Sequence, residues 1–471
     1  MRGAMCLCAL VTLPLAGCAG GAGGAPLGGI DGGGIAKGTV TGFGSIFVNG
    51  VEYSTSGATI TVDGRPGTQA DLAVGDVVSI VGRTDANGTT GTAVSVTFDD
   101  DVEGPVQSVD VANDVLIVLG QTVRVSGTTS FGDGTPACTL AGLQPGNVVE
   151  VSGFRDSFGN IEATRIECQQ PGGELEVTGS VQSLDANLPR FQIGTLTVDY
   201  SQAQLLGFPG GQPAAQQTVE AKGSSLSNGV LLAARVELKD ARIAGKDGDG
   251  VELEGLITRF VSATDFDVSG QRVTTSANTR YESCGATFNP PLNTKVEVEG
   301  ALAAGAILAD EIECSAEAEL RVRAPVETVS SQSNTLTVLG ITISVTATTR
   351  LEDKSSAELS PFKLSDLRGG DLVEVRGSSD AQSGSMIAAL LERDDPEPGV
   401  ELRGNAQSAT EPDLVILGVT ARTTASTVFE DENENPISAA EFFARAPGRM
   451  VDVQGSDLGG VVVVEEAKLE E

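Results

Sequence analysis

Residues 77–82, Val77-Val78-Ser79-Ile80-Val81-Gly82, and residues 148–153, Val148-Val149-Glu150-Val151-Ser152-Gly153, spell one short strand twice. It recurs as Val296-Glu297-Val298-Glu299-Gly300, Leu372-Val373-Glu374-Val375-Arg376-Gly377 and Met450-Val451-Asp452-Val453-Gln454-Gly455. A degenerate copy is Val219-Glu220-Ala221-Lys222-Gly223. Apolar, β-branched residues at alternate positions mark a half-buried strand. The closing glycines are 71, 70, 77, 77 and 78 residues apart, so one unit is written six times.

The rest of the unit is found by working outward. Before the strand sits a turn, as in Leu72-Ala73-Val74-Gly75-Asp76, Leu143-Gln144-Pro145-Gly146-Asn147 and Leu367-Arg368-Gly369-Gly370-Asp371. Its leucine is expected to plug one end of a core, and its glycine to supply a positive φ. Further upstream each copy opens on a short motif: Gly38-Thr39-Val40, Gly104-Pro105-Val106, Gly179-Ser180-Val181, Gly255-Leu256-Ile257, Ala324-Pro325-Val326 and Gly404-Asn405-Ala406. A hairpin follows it. In copy one this is Ile46-Phe47-Val48-Asn49-Gly50-Val51-Glu52-Tyr53, where Asn49-Gly50 signals a type I′ turn. A last strand, such as Ala163-Thr164-Arg165-Ile166-Glu167, closes the unit.

Each copy therefore reads strand, long hairpin, short turn or helix, strand, strand. Five short strands can close a small barrel. The expected fold class is all-β: six tandem, small, OB-like five-stranded β-barrel domains, with a β-sandwich of paired copies as the alternative. The expected domains are 36–101, 102–173, 174–248, 249–317, 318–397 and 398–471. The Gly-x-Val opening, the Phe47-Val48-Asn49-Gly50 hairpin and the Gly-Asp-x-Val-x-Val-x-Gly strand resemble the bacterial family known as domain of unknown function 5666, which occurs in tandem in envelope proteins. The likeness spans residues 36–469 and is weakest in copy three. It implies architecture and brings no activity with it.

The amino terminus reads as an address. Arg2 precedes an apolar run from Ala4 to Leu15, too short to span a bilayer and of signal-peptide length. Leu15-Ala16-Gly17-Cys18 resembles the lipobox of bacterial lipoprotein precursors. The resemblance implies that residues 1–17 are removed and that Cys18 is lipidated, anchoring the chain to a membrane. Ala19, where an aspartate would signal inner-membrane retention, favours the outer membrane of a Gram-negative envelope. Glycine-rich residues 18–35 are expected to be a flexible tether reaching roughly 20–25 Å.

Four more cysteines follow the repeat. Cys138 and Cys168 lie 30 residues apart in copy two, and Cys284 and Cys314 lie 30 apart at matching places in copy four. Equivalent pairs in equivalent places imply disulfides 138–168 and 284–314, suited to an exported chain. The rival is a four-thiolate zinc site, which would need cysteines of two copies to converge.

Composition narrows function by exclusion. The chain has 471 residues, a formal charge of −34, no histidine, no tryptophan and 4% aromatics. Without histidine there are no imidazole-based triads or zinc sites. An excess of acid disfavours nucleic acid, whose phosphates demand Lys and Arg. Few rings are available to stack on sugars, and the strand-borne Phe47, Phe191 and Phe266 read as core residues. No catalytic residue, metal ligand or cofactor is assigned.

Acidic runs are the remaining candidates: Asp99-Asp100-Asp101-Val102-Glu103, Asp247-Gly248-Asp249-Gly250-Val251-Glu252, Asp394-Asp395-Pro396-Glu397 and Glu430-Asp431-Glu432-Asn433-Glu434-Asn435. None matches an EF-hand loop, and they are expected to be solvated linkers holding barrels apart. The expected function is that of a non-enzymatic binding or scaffold lipoprotein. Its barrels would extend as a rod towards an envelope protein or glycan partner. The alternative is an adhesion or structural module stiffened by Ca²⁺ at the acidic junctions. A carboxylate hydrolase is the third hypothesis, weakened by the lack of room for a deep pocket in so small a unit.

Overall fold

The computed structural model describes residues 34–85, 88–132, 138–185, 187–240, 242–284, 287–315, 318–379 and 385–470. The signal segment 1–17, the lipidation residue Cys18 and most of the tether lie outside the described residues. Gly34 and Ile35, expected as the end of the tether, already belong to the first strand, because their backbone pairs with Gly82 and Val81.

Copy one shows the unit. Its strands are Gly34–Phe43, Ile46–Val48, Val51–Ser54, Val77–Thr84 and Thr90–Phe98. The first pairs antiparallel with the second, and the second with the third. The third lies parallel to the fifth, and the fifth runs antiparallel to the fourth. The fourth returns to the first, which closes the barrel. This is a five-stranded Greek-key barrel, with alternate residues such as Val40, Ile46, Tyr53, Ile80 and Phe98 filling it. Copies two, four, five and six close by the same pairings. Copy six places a helix, Ala439–Arg445, between its third and fourth strands, where copies one, two and five have a single 3₁₀ turn.

Two glycine positions build the unit. Gly75, Gly146 and Gly370 of the turn have φ of +98°, +97° and +95°, a region open to glycine at no steric cost. The next side chain locks each turn: Asp76, Asn147 and Asp371 accept from the backbone N–H three residues back, at 2.7–2.8 Å. Leu72, Leu143 and Leu367 are buried in the barrel cores, as the plug reading expects. The second position is the closing glycine of the fourth strand. A Cβ at Gly82, Gly153, Gly300, Gly377 or Gly455 would stand 1.9 to 2.5 Å from a fifth-strand carbonyl oxygen. The ladder shifts register at the same residues, so each is a β-bulge where two backbones approach too closely for any side chain.

Copy three departs from the closed barrel. Its first and second strands, Leu175–Ser180 and Arg190–Ile193, meet only through an isolated bridge, Gln182 with Gln192. Ser183 takes a positive φ, and Asp185 accepts from the N–H groups of Asn187 and Leu188, which turns the chain out of the ladder. The fifth strand is also broken, into Val230–Leu232 and Arg235–Leu238.

The copies are not strung out as a rod. The first strand of copy one pairs in parallel with that of copy four, Gly34–Lys37 beside Gly250–Leu253. First strands of copies two and three pair antiparallel, as do those of copies five and six. Side chains knit the pairs together. Arg350 of copy five donates to Thr164 O of copy two at 2.9 Å, and Lys354 to Phe131 O at 2.7 Å. Val77 N of copy one donates to Ser152 Oγ of copy two at 2.8 Å. A rod needs contacts between sequence neighbours alone, whereas an exposed strand edge pairs with whatever edge it meets.

Candidate metal centre

Copies one, two and three meet at a group of carboxylates. Asp63 sits at φ +48° in the Asp63-Gly64 turn of a small hairpin, Thr59–Val62 with Arg65–Gly67. That turn sequence favours two successive positive φ angles. Asp100 lies two residues beyond the fifth strand of copy one, in the link to copy two. Its N–H donates to Asp63 Oδ1 at 3.2 Å. Glu176 is the second residue of the first strand of copy three. One carboxylate oxygen from each of the three can be chosen so that all lie within 4.8 Å of one another.

The site is dry. Asp100 and Glu176 are each 2% exposed, and Asp63 is half-buried. Neither oxygen of Asp100 has a hydrogen-bond partner, nor does Glu176 Oε1. Glu176 Oε2 pairs with the Lys222 ammonium, which also donates to Asp63 O at 3.3 Å. Burial pushes the Asp100 carboxyl well above the usual carboxylate range, and the neighbouring Glu176 and Asp63 charges push it further. Burial, with Glu220 adding to it, pushes Glu176 up to about 9. Asp63 is raised for the same first reason.

The sheet explains the crowding. Glu103 lies directly opposite Glu176 across the dock of copies two and three. Glu150 flanks Glu103 on one side, and Lys222 flanks Glu176 on the other. Three carboxylates and one ammonium thus share a row. Like charges directly opposed in a ladder are destabilising. Oxygen-only donors of this kind suit hard cations such as Ca²⁺ and Mg²⁺.

The other acidic runs behave differently. In 247–252 the Asp247 and Asp249 side chains cap turns, accepting from Ala304 N at 2.9 Å and Lys246 N at 2.7 Å. Asp394 and Glu397 pair with Arg323 at 3.5 and 3.0 Å. Asp431 accepts from Asn433 N and Asn435 N in an exposed loop. These fit the solvated reading except at the end of the second run, where Glu252 is 2% exposed, accepts from the Tyr53 hydroxyl of copy one at 3.3 Å and lies in the strand that pairs the two copies. The run 99–103 does not, because copy three folds over it: Thr178 N donates to Asp101 O at 3.0 Å, and Lys239 of copy three pairs with Asp99 at 3.1 Å.

Both cysteine pairs are disulfides, Cys138–Cys168 with Cα atoms 5.7 Å apart and Cys284–Cys314 with 5.0 Å. All four sulfurs are consumed, which removes the zinc alternative. Phe191 and Phe266 are buried core residues. Phe47 is not: alternation sends Ile46 and Val48 inward and leaves Phe47 half-buried on the outer face. Asp63 and Glu176 gave no sequence signal beyond the Asp-Gly turn, since they reach Asp100 only through tertiary packing.

No curated protein matches the chain. The sequence pattern of one family, described as a domain of unknown function (DUF5666), matches residues 37–97, 103–167, 178–237, 254–313, 323–392 and 403–464. These segments coincide with the six copies and cover most of the sequence, so the chain belongs to the DUF5666 family as a six-repeat member.

Proposed function

We propose that this chain is a membrane-anchored lipoprotein of the cell envelope, acting as a non-enzymatic scaffold or binding protein for an envelope protein or glycan. The observation that carries the reading is barrel-to-barrel pairing through first strands. A scaffold must hold its parts in fixed relation, and main-chain pairing between copies does that. The Leu15-Ala16-Gly17-Cys18 lipobox and the glycine-rich segment behind it supply the anchor and the stand-off. The absence of histidine removes imidazole from any acid–base role. One surface cleft, lined by Glu319, Arg403, Asn405, Gly448, Arg449 and Met450, has a volume near 290 Å³, at the small end of the roughly 300–1,000 Å³ usual for ligand pockets.

Metabolic labelling with radioactive palmitate tests the anchor. Wild-type chain is expected to carry label and sediment with membranes, and Cys18→Ala to lose both; label that persists in the variant removes the anchor. Crosslinking in intact cells tests the scaffold. A recurrent partner bound to the outer faces supports it, and recovery of abundant bystanders alone counts against it. A second reading, a Ca²⁺-stiffened adhesion or structural module, is favoured by the Asp63, Asp100 and Glu176 carboxylates.

A further inference from the structure

We infer that Asp63, Asp100 and Glu176 hold a single Ca²⁺ ion where copies one, two and three meet. The inference deepens the second reading of function and depends neither on the lipid anchor nor on any partner.

Three observations carry it. The first is the donor geometry: one oxygen from each residue can be chosen within 4.8 Å of the others. Oxygens on a Ca²⁺ ion at about 2.4 Å can be no more than about 4.8 Å apart, so these three fit one coordination sphere. The second is the unpartnered state of Asp100 and of Glu176 Oε1, in residues 98% removed from solvent. Buried polar atoms are almost always satisfied, so unpartnered carboxylate oxygens in such a group call for a cation or a proton.

The third is charge. Three carboxylates with the Lys222 ammonium leave a formal −2, which one divalent cation cancels.

Ca²⁺ is favoured over Mg²⁺ by setting. Mg²⁺ demands near-octahedral ligands at about 2.0–2.1 Å and keeps several waters, whereas Ca²⁺ tolerates irregular carboxylate sets. Here Glu176 is fixed on a strand and Asp63 in a tight turn, so neither closes in freely. With Glu176 Oε2 already held by Lys222, water and the second oxygens of the two aspartates would have to complete the six to eight positions of Ca²⁺. The ion would tie copy one to copy three beside copy two, with Asp63 and Asp100 entering from copy one and its link, and Glu176 from copy three.

The test is equilibrium dialysis of the mature chain against radiolabelled Ca²⁺ at about 0.15 M salt, where surface charges are screened. Thermal melting with Ca²⁺ or with chelator runs in parallel. Wild type is expected to bind one ion tightly and to melt higher with Ca²⁺. Asp100→Asn, isosteric and uncharged, is expected to lose that ion, weakening binding by roughly 100-fold or more. In chelator it should melt at or above wild type, because it removes a buried charge. Asp310→Asn, on an exposed strand position, controls for net charge and should behave as wild type. If Asp100→Asn fails to fold, Glu176→Gln takes its place. Equal tight binding by wild type and variant overturns the site while leaving Ca²⁺ stiffening in place elsewhere. No tight ion and no change in wild-type melting overturns both.

Discussion

In the dock between copies five and six, Val322 pairs with Leu402 across antiparallel first strands. In the dock between copies two and three, Val102 pairs with Val177 in the same way. The next row differs. In the first dock it reads Glu374, Arg323, Glu401 and Gln454 across four strands. In the second it reads Glu150, Glu103, Glu176 and Lys222. Where one dock sets a guanidinium against a carboxylate, the other sets carboxylate against carboxylate.

The consequences follow from what each side chain touches. Arg321 pairs with Glu374 of its own copy at 2.8 Å and reaches across the dock to Glu401 at 2.7 Å. Burial works against ionisation of Glu374, yet Arg376 and Arg321 outweigh it and hold its carboxyl below the usual range. Among the described residues Glu103 and Glu150 have no arginine ion pair, and burial pushes both upward, Glu150 to about 8. The same backbone dock can thus be neutralised by arginines built into the strands, or left acidic for a charge from outside.

The largest expected effect tests what else holds copy two together. Replacing Cys138 and Cys168 by Ala opens a bridge spanning 30 residues, and closing a loop of that size is worth about 3–4 kcal/mol in the chain-entropy model. Hydrogen exchange should show residues 148–169 losing protection before copy five does; uniform loss would mean that the copies unfold as one body. Next is Arg323→Glu, which writes the acidic row into the other dock. It should cost about 2–3 kcal/mol in urea unfolding, since it leaves part-buried Asp394 and Glu401 facing a like charge. A cost near zero would mean that the row does not matter.

The reverse change is smaller and of opposite sign. Glu103→Arg should stabilise the chelated protein by about 1 kcal/mol and blunt its response to Ca²⁺. An undiminished response would detach the ion from the dock. The last prediction concerns pH. With its folded pKa raised from 4.5 to about 8, Glu150 keeps in the native state a proton that the unfolded chain has released. Stability of the chelated protein should therefore fall as pH rises from about 4.5 to 8. Glu374, held low, contributes stability present above pH ~4.5 and lost on acidification. Melting curves that rise across pH 5–8 in chelator would contradict the assignment.

The barrel was legible because its determinants are local. Period-two alternation names the strands, Asn49-Gly50 names a hairpin, and the closing glycines mark bulges no other residue fits. The disulfides were legible because the repeat aligned the cysteines. The docks were not. Ala36 meets Glu252 across 216 residues, and nothing in a first strand says which other first strand will cover its edge. For the same reason Asp99-Asp100-Asp101 read as a solvated link, while copy three buries its middle residue. A recurring threonine also went unread: Thr129, Thr279, Thr349 and Thr427 each donate to a fifth-strand carbonyl at 2.6–2.7 Å. Its flanking Ser and Thr residues look like any polar loop, so the spacing alone gives no warning.

Small-angle X-ray scattering from residues 34–471 tests most directly whether the copies cross-pair. A compact chain of this length has a radius of gyration of about 22 Å, whereas six barrels strung in line would give roughly 50 Å. The cross-paired docks predict a value within a few ångströms of the first. A value approaching the second would contradict them, and with them the junction at which Asp63, Asp100 and Glu176 meet.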